Sequence, residues 1–242
     1  MRTLTAAIIG LAFIIGLFIV ARAYKYRSVN QETIIVTGSA EKDFVSDLIV
    51  WNGSYSRKSL DLKSAYAQLK DDEKIIRDYL RSKGLSDTSM VFSSVNIIKE
   101  FNYKTDGNGR ALGQEFSGYN LTQTVRIESG EVDKIAAISR QATELIQQGI
   151  EFTSSAPLYY YTKLTDIKMD LLARASADGK KRAEIIAENA GNSLGKLKKA
   201  TLGVFQITGK NTDEDYSYGG TFNTSSRNKT GSITIRMEFA VD

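Results

Sequence analysis

Cysteine and histidine are both absent from the 242 residues, and proline and tryptophan occur once each. Without cysteine there is no disulfide and no thiolate nucleophile. Without histidine there is no imidazole acid or base, no Ser-His-Asp triad and no zinc site of the usual ligands. The missing cysteine fits an exported bacterial protein that uses no disulfides and fits a cytosolic one equally. A basic surface is missing too, although the formal charge is +4. Four of the 32 basic residues, Arg2, Arg22, Lys25 and Arg27, precede the first acid, and the 28 that remain balance the 28 acids. The folded part is therefore neutral and lacks the electrostatic footprint of a nucleic-acid binder. Hydrophobic residues at 42% and charged residues at 25% are ordinary for a globular core.

Charge is also missing from residues 3–21, which are 19 positions of mainly Ala, Ile, Leu, Phe, Val and Gly. That is close to the roughly 20 residues that span a bilayer as a helix. Three readings stand: an uncleaved anchor, a cleaved signal peptide with Ala21-Arg22-Ala23 as its small-x-small site, and a buried core helix. The run exceeds the usual signal core of about 7–15 residues, which favours the anchor. Arg22, Lys25 and Arg27 follow the run, so the count of flanking positive charges favours a cytoplasmic domain. This divides the chain into 1–28, an anchor with its basic flank, and 29–242, one domain.

Within that domain, residues 33–40 and 45–55 alternate as strands, the second carrying Trp51. Ser59 is a candidate cap for a helix whose Leu62, Tyr66, Leu69, Ile76 and Leu80 recur at helical spacing before Gly84. Strand signals over 90–103 and 115–127 flank Asp106-Gly107-Asn108-Gly109, which predicts a hairpin. A helix over 131–148 stops at Gly149. The strand that follows, 150–161, contains Pro157, which places it at a sheet edge or bulge. Residues 197–208 and 232–241 predict a final hairpin, in which Ile233, Ile235, Met237, Phe239 and Val241 alternate strictly. Between them, 210–230 is polar and aperiodic and reads as a mobile loop. The order ββαββ, αβαββ predicts one α+β domain of two related halves, an antiparallel sheet packed with helices.

The longest helical signal, 165–191, carries Ala175, Gly179, Ala183, Ala187 and Gly191 at every fourth position. Side chains four apart share a face, so this line predicts a helix laid very close against a sheet, with Met169, Leu172, Ile186 and Ala190 beside it. Lys180, Lys181, Arg182, Glu184 and Glu188 fall on the other side.

Candidate chemistry is sparse. Asp213, Asp215, Ser217 and Gly219 imitate the opening of a calcium loop, but Tyr218 stands at the turn position and Thr224 where a bidentate Glu belongs. Ser193 and Lys196 have Ser-x-x-Lys spacing in a loop with no companion motif. Gly107, Gly109 and Gly113 are spaced wrongly for a dinucleotide loop. Asp71, Asp72 and Glu73 among Lys70, Lys74 and Arg77 read as a solvated helix face. Tyr159, Tyr160 and Tyr161 alternate across a strand and leave open sheet packing, a subunit contact or a ligand surface. No catalytic, cofactor or metal residue is assigned, and a small-molecule ligand is unspecified.

Five features together resemble the SIMPL domain family of exported bacterial proteins, over 33–241. They are Ile35-Val36-Thr37-Gly38-Ser39-Ala40-Glu41, Gly84 after the first helix, Phe116-Ser117-Gly118-Tyr119 opening a strand, Gly149 to Phe152 after the second helix, and the alanine-spaced helix closed by Gly191. The chain departs from the family pattern at Ser46-Asp47, where Pro-Asp is usual, and at Gly179, where alanine is usual. The resemblance implies a periplasmic or membrane-anchored α+β domain that tends toward large ring-like homo-oligomers; set above the flanking-charge count and joined to the uncharged run 3–21, it gives the expectation of a single-pass inner-membrane protein with its domain in the periplasm. It implies no catalytic residues. Two functions follow as expectations: a homo-oligomeric envelope protein held in the lipid bilayer through residues 3–21, or an exported monomeric adaptor or chaperone-like module for envelope partners.

Overall fold

A computed structural model describes residues 2–29, 32–105, 107 and 111–241. The chain opens with α1 (Arg2–Val29), whose described side chains, over 10–23, are exposed on every side apart from a half-buried Gly16. Among the described residues, which in α1 have described side chains only over 10–23, no helix is long and apolar enough to cross a membrane. Beyond α1 the order is β1 (Thr33–Val45), β2 (Leu48–Ser59), α2 (Leu62–Ser82), β3 (Met90–Phe92), β4 (Asn96–Thr105), β5 (Ala111–Ser129) and α3 (Val132–Gln141). A 3₁₀ segment (Ala142–Gln148) extends α3, followed by β6 (Phe152–Ser154), β7 (Leu158–Tyr160), α4 (Leu164–Asn189), β8 (Leu194–Leu202), β9 (Gln206–Gly209) and β10 (Asn228–Val241). The chain is α+β, as its periodicities predict, with every ladder pairing antiparallel.

The strands form two sheets rather than one, and the two sequence halves are not the two architectural units. β1 pairs with β10 from Thr33↔Ala240 to Val45↔Asn228, which draws the first strand onto the last. β8 and β9 then pair along the other edge of β10. The intervening residues build a second sheet around β2 and β5, with β3 and β4 beside β5 and β6 and β7 beside β2. Each sheet has its own core. Trp51, Tyr55, Leu69, Ile76, Leu121, Ile127 and Ile135 fill one, under α2 and α3. Val36, Phe44, Ile167, Leu171, Ile207, Ile235 and Met237 fill the other, under α4. Asp47 ties together the two chain crossings between the sheets. Its carboxylate accepts from the Thr162 amide and hydroxyl, both at 2.7 Å, and its own amide donates to the Tyr160 carbonyl.

Local chemistry explains most boundaries. Asp61, not Ser59, caps α2 by accepting from the Ser64 amide at 2.8 Å, while the Ser59 hydroxyl accepts from the Asp61 amide. Gly84 and Gly149, with φ of +82° and +78°, close the first two helices of the domain as expected. Pro157 falls between β6 and β7, both on the outer edge of their sheet, where a missing donor is tolerated. The hairpin of β4 and β5 forms as predicted, although Asp106, Asn108 and Gly109 of its turn lie outside the described residues.

α4 lies across β1 and β10 through a strict every-fourth row: Ile167, Leu171, Ala175, Gly179, Ala183 and Ala187 are all buried. Such a row runs about 26° off the helix axis, so the helix crosses the strands obliquely and residues beside the row turn outward near its ends. Met169 and Ile186, expected beside the groove, are therefore exposed, as are Ala190 and Gly191. At the crossing, backbone meets backbone. A Cβ on Gly38 would stand 2.1 Å from the Ala175 carbonyl oxygen and 2.5 Å from the Gly179 nitrogen, and one on Gly179 would stand 2.8 Å from Met237 Sδ. The requirement for glycine therefore lies at Gly38, while alanine at Gly179 would be a tight fit, displacing the flexible Met237 Sδ and standing 3.3 Å from the Gly38 backbone. Asp178 reinforces the contact by reaching past the helix to accept from the Ser39 amide at 2.9 Å. That bond, with Arg182 beside it, holds the Asp178 carboxyl below its usual range.

One consequence is measurable. Ala183→Leu adds volume to a fully buried position and is expected to cost about 1–3 kcal/mol. Lys181→Leu, the same side chain on the exposed side of the same helix, is expected to stay within about 0.5 kcal/mol. Denaturant midpoints compare the two, and equal midpoints would mean that this face is not a packing surface.

Candidate functional site

Two surfaces stand out from the scaffold. The first is an arm. β2 ends at Ser59, opposite Tyr119, so β4 and the first part of β5 continue as a two-stranded ribbon beyond the sheet. A register shift between Glu100 and Phe101 keeps Phe101 opposite Phe116, and the two rings meet edge-on at 5.8 Å. Phe116 in turn meets Tyr119 at 5.1 Å, which joins the ribbon's aromatic face to the core at its root. Further out that face is uncovered: Phe101, Tyr103 and Phe116 are exposed, as are Leu112 at the register shift between Lys104 and Thr105 and, nearer the root, Ile97 on this face and Ile98 on the other. Ion pairs Lys58–Glu100 and Lys104–Glu115 fix the ribbon without shielding this row.

The second surface is a cleft on the face of the first sheet turned away from α4. Ser39 and Glu41 of β1, Ser232 and Thr234 of β10, Val204 and Gln206 form one part of it, and Tyr216 and Tyr218 wall it. Its volume is about 300 Å³. The segment supplying the tyrosines, read from sequence as mobile, is aperiodic but anchored by four polar side chains. The Gln206 amide accepts from the Thr221 nitrogen at 2.7 Å and donates to the Ser217 carbonyl at 2.9 Å. Glu214 accepts from the Gly209 amide and from Asn223. Lys229 is buried, and its ammonium donates to the Asn223 and Ser226 carbonyls, both at 2.6 Å. Burial pushes its pKa down to about 8, with Glu214 acting in the opposite sense. Lys229 occupies an inward position of the alternation that runs through Ile233 and Ile235, and a lysine there is the sequence signal of a buried polar anchor. Tyr216 reaches the Ser232 hydroxyl at 3.2 Å, whereas Tyr218 is fully exposed.

The other candidates separate in space. Asp72 is not on a solvated face. It is buried and gripped by Arg57, whose Nη2 lies 2.7 Å from Oδ1, and this bond raises the Arg57 pKa. Glu73 is partly shielded between Lys70 and Arg77, and Asp71 is exposed. Tyr159, Tyr160 and Tyr161 are all half-buried. β7 stops at Tyr160, so Tyr159 packs on the core of the second sheet while Tyr161 packs on Phe44 of the other, ring centres 4.9 Å apart. In the calcium-like segment the inward acid is Glu214 rather than Asp213 or Asp215, and no group of three potential metal ligands occurs among the described residues. Ser193 lies between α4 and β8 and Lys196 is exposed on β8. Gly113 is on β5, and Gly107 follows the end of β4.

No curated protein matches the chain. A family model described as SIMPL, protein of unknown function (DUF541), matches residues 34–239, from the strand that carries Gly38 to the strand that closes on it. With nearly the whole domain inside that match, the chain belongs to the SIMPL family.

Proposed function

We propose that this SIMPL-family chain is a non-catalytic protein of the bacterial cell envelope, anchored by its amino-terminal helix and assembled with copies of itself, in a ring-like arrangement, outside the inner membrane. The observation that carries the reading is the uncovered apolar group Phe101, Tyr103, Leu112 and Phe116 on a ribbon that projects past its sheet. A contiguous apolar surface on a projecting element loses free energy on contact with water and gains it on contact with a partner. For the anchor, the support is the uncharged run 3–21 and the exposure of Leu11, Phe13, Ile14, Leu17, Phe18 and Ile19 around α1. At about 1.5 Å per residue that run is about 28 Å long, close to a bilayer core of about 30 Å. The absence of cysteine and histidine weighs against most nucleophilic and acid–base chemistry.

A second reading, an exported monomeric adaptor, draws on the cleft with its fully exposed Tyr218. Particle mass separates the two. Anchoring is tested independently by intact mass of membrane-extracted protein. The expected species is the whole chain of 26.8 kDa, and a mature chain beginning at Tyr24 would overturn the anchor.

A further inference from the structure

We propose that the cleft walled by Tyr216 and Tyr218 is a binding site for an organic cation, an ammonium or guanidinium group, with Glu41 as its counter-charge. The inference concerns a surface that the assembly reading does not use, and it stands whether the particle is one chain or many. Three observations carry it together.

The first is that the cleft is preformed. Gln206 fixes the segment at Ser217 and Thr221, and the Tyr216 hydroxyl is bonded to Ser232, so a ligand need not order the backbone of the wall or Tyr216 and has only the Tyr218 side chain to settle. The second is the wall itself. Tyr218 is 103% exposed and Tyr216 is 63% exposed, which leaves aromatic surface standing in water at the mouth of a concavity. The third is charge. Glu41 is the sole charged residue among the described residues lining the cleft, and no ion pair or hydrogen bond of its side chain occurs among the described residues. Its neighbour on the same face of β1, Asp43, is by contrast taken up by Lys210 at 2.7 Å and by the Thr230 hydroxyl. The nearby cation of the segment is therefore already spent on Asp43, and the cleft keeps an uncompensated carboxylate.

An anion would meet Glu41, and no Lys or Arg lines the cleft among the described residues. A cation gains the carboxylate and the aromatic surface of the two tyrosines that line the same cleft, since a ring face attracts positive charge. The volume of about 300 Å³ lies at the small end for ligand sites, which fits a head group or a single side chain. The same chemistry comes from a free polyamine or quaternary amine, or from a lysine or arginine side chain of another polypeptide.

The test uses the full chain in mild detergent, titrated calorimetrically with choline, spermidine and a short blocked peptide containing lysine. Glucose and acetate serve as neutral and anionic comparisons. The expected result is saturable binding of at least one cation, weakened by salt, with no binding of acetate. Glu41→Gln and Tyr218→Ala are each expected to weaken it about five- to tenfold. Both residues are exposed, so neither change threatens the fold. Tighter binding of the peptide would point to a polypeptide source, and tighter binding of spermidine or choline to a free amine. Failure of every cation to bind better than glucose, or binding that Glu41→Gln leaves unchanged, would overturn the proposal.

Discussion

Gly38→Ala is expected to destabilise the domain by at least the upper end of the about 1–3 kcal/mol typical of overpacking, from the addition of one methyl group. The position is a strand interior, where alanine would ordinarily be favoured over glycine by about 0.5–1 kcal/mol. Here the new Cβ would lie 2.1 Å from the Ala175 carbonyl oxygen, 2.5 Å from the Gly179 nitrogen and 2.8 Å from its Cα. Every one of these is a backbone atom, so no rotamer change relieves the clash, and the helix must move away from the sheet. Moving it also breaks the Asp178 bond to the Ser39 amide and loosens the buried row on either side. Gly130→Ala is the control, because its nearest neighbour beyond the adjoining residues is the Asp47 carbonyl oxygen at an ordinary 3.6 Å. Thermal or denaturant midpoints read the comparison. A Gly38 variant as stable as the Gly130 variant would contradict the helix-on-sheet geometry.

Arg57→Met is expected to cost about 1–3 kcal/mol, the scale for leaving a buried acceptor without its partner, because Asp72 is enclosed while the Arg57 side chain is 31% exposed. Asp72 is 2% exposed on a helix face that packs against β2, and Arg57 meets its carboxylate through both Nε and Nη2. Arg57 Nη2 also donates to the Gly149 carbonyl at 2.9 Å, so one guanidinium joins β2, α2 and the end of the 3₁₀ segment. The single variant leaves a buried carboxylate without its cation. The double variant Arg57→Met, Asp72→Leu removes both charges, and because apolar pairs of similar size often replace buried ion pairs at little cost, it is expected to recover most of the loss. Chemical denaturation of the four chains in the cycle gives the coupling. Additive losses would mean that the two side chains do not act as a pair.

Much of this architecture was legible in the residues because periodicity reports faces. The alternation of Ile233 to Phe239 gives the buried side of β10, and the every-fourth row of α4 gives the helix face that Gly38 meets. Periodicity does not report partners. Thr230 and Asp43, bonded across β1 and β10, are 187 positions apart, and nothing local to either strand specifies that closure or the division into two sheets that follows from it. Asp72 looked like its solvated neighbours because helical charges are alike in sequence; what distinguishes it is Arg57 on a facing strand. The hairpin of β4 and β5 was readable, but its projection depends on β2 ending at Ser59. The tyrosine cleft was missed because its floor comes from three separate strands and its wall from an aperiodic segment held by Gln206 and Lys229.

Self-assembly through the arm is tested most directly by the molar mass of the detergent-extracted full chain. Light scattering, corrected for bound detergent, is expected to give a protein mass several times 26.8 kDa, and Phe101→Ser with Leu112→Ser is expected to lower it without changing the unfolding midpoint of the domain. A wild-type protein mass of 26.8 kDa would contradict the claim and leave the monomeric adaptor in its place.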